Sequence, residues 1–181
     1  MRENNRRRID QVQDEDFLAD LEGLSDNEVR ERRVLCDELD IEFSYYRRML
    51  HGRMDLIAFQ MRRLAGEEEE SLIDALPRIL AEGAYASTPG LSTRPVPVEV
   101  PDIPRHGVRI IDKALDGDFI VRLPSLEVDE LNETQQFLQE VEVEISRQRR
   151  VAHEALDALQ AELARRYRDG AIDPDELFAS G

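Results

Sequence analysis

Residues 39–64 read LDIEFSYYRRMLHGRMDLIAFQMRRL, with no proline to interrupt a helix. Within them Leu39, Phe43, Tyr46, Leu50, Met54, Ile57, Met61 and Leu64 recur at steps of three and four, the seam of a helix that packs lengthwise on another helix. Upstream, Ser25 and Glu28 form a capping-box pair in which each side chain satisfies the other's orphan backbone amide, so a long helix is expected over 25–66. Gly52 lies inside that helix and costs about 1 kcal/mol in helix propensity relative to Ala. It marks either close packing, ligand approach or a tolerated exposed position. A second seam, Leu138, Val141, Ile145, Ala152, Leu156, Leu159 and Leu163, predicts a second long helix over 128–169 that stops before Gly170.

The rest of the chain falls between and around these two helices. Residues 1–24, with the basic run Arg6, Arg7, Arg8, read as a mobile N-terminal arm. Residues 67–83 read as a short helix, with an acidic start, Pro77 bending it and Gly83 ending it. Pro89, Pro95, Pro97, Pro101 and Pro104 make 84–127 a proline-rich linker. Within it the Val- and Ile-rich runs on either side of Asp116-Gly117 are expected to pair as a small hairpin. Residues 170–181 form a C-terminal tail. The expected fold is mainly α: a two-helix coiled coil of long helices with a short arm, a short extra helix and a linker. The periodicity alone permits parallel or antiparallel pairing.

Composition narrows the function classes. Charged residues make up 35% of the chain and aromatics 6%, without Trp, which favours narrow helical seams over a thick sheet-built core. A formal net charge of −16 argues against duplex nucleic acid as a partner and favours a basic protein instead. No apolar run reaches the roughly 18 to 20 residues that span a membrane, and Met1 precedes polar residues, so a cytoplasmic location is expected. Cys36, the single cysteine, excludes an internal disulfide and is expected to be a small core residue. No nucleophile constellation, glycine-rich phosphate loop or cysteine-based metal motif is present, so no catalysis is expected.

Sliding the first helix onto the second by 102 positions aligns the seams, and with them Asp40, Ser44, Arg47, His51 and Asp55 fall on Glu142, Ser146, Arg149, His153 and Asp157. At about 100° per residue, each set occupies an arc of about 80° along about 22 Å of helix, bordering the seam. Two such stripes can face one shared groove. Solvated coiled-coil flanks with intrahelical ion pairs would account for any one of these residues, but not for two histidines at equivalent positions among matched Ser, Arg and Asp. The residue types suit a guanine nucleotide. Arginine can fork onto guanine O6 and N7 or neutralise phosphate, a carboxylate can accept from N1 and the exocyclic amine, and Ser and His add short hydrogen bonds. Arg47-Arg48 and Arg149-Arg150 concentrate positive charge at matched places in an acidic chain.

The two stripes resemble the pattern E-x3-S-x2-R-x3-Q-x3-D that RsiG-type actinobacterial anti-sigma factors carry twice, once on each helix of an antiparallel coiled coil. That resemblance covers both long helices. It implies antiparallel pairing, a dimer of cyclic di-GMP held by the ten residues, and sequestration of a sigma factor of the WhiG, flagellar-related class. Cyclic di-GMP would be a regulatory ligand, not a catalytic cofactor. The departures are Asp40 for the first Glu, and His51 and His153 for the two Gln. Asp40 keeps the charge on a shorter arm. Histidine replaces glutamine as donor or acceptor and adds a protonation that favours an anionic ligand in mild acid.

Two other readings fit parts of the pattern. His51 with Asp55 and His153 with Asp157 are i, i+4 pairs that could bind zinc or iron across two helices, although Arg47 and Arg149 would oppose a cation and no Glu-x-x-His pair is present. A ligand-free coiled-coil adaptor would use the seams and leave the polar stripes dispensable.

Overall fold

The computed structural model describes residues 8–85 and 109–170, with side chains described for 8–80 and 109–170. Among the described residues six α-helices follow in order: α1 (Arg8–Val12), α2 (Asp26–Leu64), α3 (Leu72–Tyr85), α4 (Ile110–Ala114), α5 (Phe119–Arg122) and α6 (Val128–Arg168). Short 3-10 turns lie at Glu15–Phe17, Leu21–Gly23 and Leu123–Ser125. Among the described residues there is no strand. The chain divides into two compact units, one of residues 1–43 with 147–181 and one of residues 44–146, and both long helices contribute to each.

In the unit of 1–43 with 147–181, α2 begins at the capping box read from the sequence. The Ser25 amide donates to Glu28 at 2.8 Å and the Glu28 amide donates back to the Ser25 hydroxyl at 3.3 Å. Arg166 meets Asp26 at 2.5 Å, and Arg149 meets Asp40 at 3.0 Å, so the two helices run antiparallel here. Val29, Cys36, Leu39, Phe43, Ala152, Leu156 and Leu159 are buried between them. Burial pushes the Cys36 thiol up to about 11, which leaves it an inert core group.

The expectation of a mobile arm over 1–24 is corrected from Arg8 onward. Ile9 and Val12 of α1 are buried, and Arg8 bridges Glu38 and the buried Glu42. Arg32 donates to the Phe17 carbonyl and lies over the Phe17 ring. Arg166, itself nearly buried, ties this segment down through Glu162 at 2.7 Å, Asp26 and the Leu21 carbonyl at 2.6 Å. Hydrogen bonds from Arg165 and Arg166 hold the Glu162 carboxyl down at about 2.

In the unit of 44–146, Arg47 meets Glu142, and Gln60 further along α2 donates to the Pro124 carbonyl just before α6, so the pairing is again antiparallel. The α2 seam broadens here. Leu56 and Phe59, outside the sequence-read seam, are buried, whereas Leu64 is exposed. The reason is a second packing layer: α3 sets Leu72, Ala75 and Ile79 into the core, and a Cβ added at Gly52 would stand 3.5 Å from Leu80. Gly52 therefore belongs to the α2–α3 contact. Gly66, at φ 78°, closes α2, with Glu67 donating to the Arg62 carbonyl at 3.0 Å in a Schellman arrangement. The α3 helix continues past Gly83 to Tyr85, beyond the end expected for it.

The hairpin expected around Asp116-Gly117 is also corrected, since these runs form α4 and α5. Ile111 and Ala114, then Phe119 and Leu123, point into the core at helical steps of three and four. Arg53 completes the arrangement. Its guanidinium lies 4.7 Å from the Phe119 ring centre and donates to the carbonyls of Ala114 at 2.9 Å and Asp116 at 2.6 Å, which satisfies the C-terminal end of α4. The proline positions of the linker, Pro89 to Pro104, and the tail 171–181 lie outside the described residues.

Candidate functional site

The ten stripe residues divide between the two units. Ser44, Arg47, His51, Asp55, Glu142 and Ser146 belong to one, and Asp40, Arg149, His153 and Asp157 to the other. In the unit of 44–146, α2 and α6 bring three of them onto one oxygen of a fourth, Glu142. Arg47 donates through Nε to Glu142 Oε1 at 3.0 Å, Ser146 donates to the same oxygen at 2.7 Å from one turn away, and His51 Nε2 lies 3.4 Å from it. Burial alone would raise the Glu142 carboxyl. The hydrogen bonds from Ser146 and Arg47, with the charges of Arg47 and His51, outweigh it and hold the group below its ordinary value.

The equivalent residues meet in the same way in the other unit. Arg149 Nε lies 3.0 Å from Asp40 Oδ1, and His153 Nδ1 lies 3.7 Å from it. Thus the first carboxylate of each motif receives the arginine and histidine of the other motif. These are pairs across helices, not the intrahelical pairs of a solvated flank. One difference stands out: Asp40 Oδ1 is withdrawn from solvent yet accepts no aligned hydrogen bond, whereas Glu142 Oε1 accepts two.

The side chains of Arg47 and Arg149 are each 34% exposed, enough for a ligand to reach both. Asp55 and Asp157, one turn beyond the histidines, are exposed and are not drawn into either cluster; among the described residues they carry no ion pair or hydrogen bond. Ser44 is half-buried on α2. The spacing groups the ten residues by stripe and does not reveal the cross-pairing between stripes. The signal for it was present in the opposite charges at the first and third motif positions, which antiparallel helices bring together.

Among the described residues, no three His, Cys, Asp or Glu side chains converge as a metal set. No described helix is long and apolar enough to cross a membrane. An open cleft of about 300 Å³ in the unit of 44–146 is lined by Arg53, Lys113, Asp116, Phe119, Arg122 and Phe137, among others, and by none of the ten stripe residues. Its cations are largely engaged. Arg53 serves the α4 carbonyls and Arg122 pairs with Asp116 at 2.6 Å. That leaves the two motif clusters as the stronger candidate.

No curated protein matches the chain in sequence. The family described as RsiG-like matches residues 15–80 and 119–180, more than half of the chain and both stripes. With that match on two helices that each carry the motif, the chain belongs to the RsiG-like family, which gives it an anti-sigma factor role and a sigma factor as partner.

Proposed function

We propose that this anti-sigma factor binds a dimer of cyclic di-GMP through its two motifs and, in that state, sequesters a WhiG-type sigma factor in the cytoplasm, blocking transcription without catalysing any reaction. The observation that supports the reading most is the repetition of one arrangement, a half-exposed arginine held at its base by a carboxylate with a histidine beside it, in both units. A positioned guanidinium is the group that reads guanine O6 and N7 in a fork. The free carboxylates of Asp55 and Asp157 suit the guanine N1 and N2 donors. Ser44, Ser146, His51 and His153 supply hydrogen bonds to phosphate or ribose. The acidic surface suits the basic DNA-binding faces of a sigma factor, and a ligand that favours the partner-binding conformation must bind more tightly when the partner is present.

Calorimetric titration of the full chain with cyclic di-GMP, with and without a WhiG-class sigma factor, tests this. The expected result is two nucleotides per chain with tighter binding in the presence of the sigma factor. No heat under either condition would defeat the ligand assignment and leave only the anti-sigma role.

A further inference from the structure

The α3 helix carries more apolar surface than its place in the fold uses. A helix that rests on a core with one face needs an apolar arc of about 100°. At about 100° per residue, the apolar residues from Leu72 to Leu80 cover an arc of about 200°. Leu72, Ala75 and Ile79 take the buried half of it. Ile73, Pro77 and Leu80, at i, i+4 and i+7, form an exposed stripe about 10 Å long on the other half. Ile73 is 80% exposed, which a surface isoleucine gains nothing from unless something covers it.

The charge around the stripe says what kind of partner fits. Glu67 and Glu69, just before α3, and Asp74 in its first turn are exposed. The nearby cations are already balanced, since Arg62 pairs with Glu68 at 3.4 Å and Arg78 with Glu70 at 3.0 Å. A second copy of the chain fits poorly, because two-fold pairing on the stripe would set these carboxylates against their own equivalents in a chain of net charge −16. A basic, amphipathic partner meets both the apolar stripe and the acidic rim. We propose that Ile73, Pro77 and Leu80 form a docking surface for an amphipathic helix of the sigma factor, whose apolar residues cover the stripe while its Lys and Arg side chains meet Glu67, Glu69 and Asp74. The inference rests on the anti-sigma reading, and it adds a contact that shares no residue with either nucleotide motif. The nucleotide decides whether the complex forms, and the α3 stripe sets how tightly it is held.

The test titrates the full chain with a WhiG-class sigma factor at saturating cyclic di-GMP. Ile73→Ser should weaken capture by about ten-fold or more, the worth of one buried isoleucine side chain, while Ile73→Val keeps most of it. Glu67→Gln combined with Glu69→Gln should slow association at low salt and have little effect at high salt. Cyclic di-GMP affinity without the sigma factor, and the melting temperature, should match wild type in each variant, because Ile73 lies outside the motifs and the core. Wild-type capture by Ile73→Ser would overturn the docking surface and leave the nucleotide reading standing. Should wild type capture no such sigma factor, the WhiG reading falls instead, and the methyl resonances of Ile73 and Leu80 then decide alone. They should shift on titration with an amphipathic Leu/Lys helical peptide and stay in place with a Leu/Glu peptide of the same spacing. No shift with either peptide overturns the docking surface, and shifts with both overturn the basic partner. Methyl contacts from Ile73 to residues 86–108, or shifts on concentrating the chain alone, overturn it in favour of the chain's own segment or a second copy.

Discussion

The unit of 44–146 and the unit of 1–43 with 147–181 carry equivalent motif residues but stabilise themselves differently. The first buries a broad core, with Leu50, Ile57, Phe59, Leu123, Leu131 and Leu138 fully enclosed and buried residues added from α3, α4 and α5. The second is narrower and depends on ionic ties, with Glu42, Glu162 and Arg166 nearly buried. A duplicated binding motif therefore does not require duplicated surroundings; it requires only that two antiparallel helices bring the first carboxylate of one stripe to the arginine of the other.

The largest effect that can break this contrast lies in the broad core. Phe59→Ala removes a fully buried ring and should cost about 3–5 kcal/mol. Urea denaturation measures the loss, and hydrogen exchange over 44–64 and 26–43 shows where it falls. Equal loss of protection in both segments would erase the energetic distinction between the units. Next come the arginines. Arg47→Ala and Arg149→Ala should each reduce cyclic di-GMP affinity by about 100-fold or more, two charge-assisted contacts being removed at once. Circular dichroism should show nearly unchanged helicity, because neither residue belongs to the apolar seam.

The ionic unit should also respond first to acid. Glu162 is held down at about 2, well below its ordinary 4.5, so the stability it contributes is present above about 4.5 and is lost as pH falls toward 2. Thermal melts between pH 5 and pH 2.5 should fall steeply in wild type and less steeply in Glu162→Gln; parallel slopes would remove Glu162 from the account. The smallest effect is at the start of α2, where Ser25→Ala should cost about 1 kcal/mol by removing the cap. That loss should appear as faster exchange near Asp26–Val29 while the 44–146 unit is unaffected.

How much of this was readable beforehand follows from what each signal depends on. The two long helices and their α-helical fold class were legible because the seams are long, uninterrupted and bounded by Ser25 with Glu28 and by Gly170, all local features. The α4 and α5 helices were misread as a hairpin because Asp116-Gly117 between Val- and Ile-rich runs is a strong turn signal. The helical steps of Ile111 to Ala114 and of Phe119 to Leu123 compete with it only once a core is there to receive them. Leu56 and Phe59 fall outside the seam and are buried because α3 adds a second layer, with Arg78 over the Phe59 ring. The order of the segment from Arg8 depends on partners more than 25 residues away, Glu38 and Glu42, which no local pattern announces. At the candidate site the residues and their spacing were legible. Their pairing was not, since it depends on which turn of one helix faces which turn of the other.

The central question for this protein is whether cyclic di-GMP controls capture of the sigma factor. Size-exclusion chromatography with light scattering, applied to the full chain mixed with a WhiG-class sigma factor, measures this directly. A complex should form when cyclic di-GMP is present, disappear when it is omitted, and fail to form with Arg47→Ala even at saturating nucleotide. A complex of equal strength without nucleotide, or one that Arg47→Ala leaves intact, would contradict it.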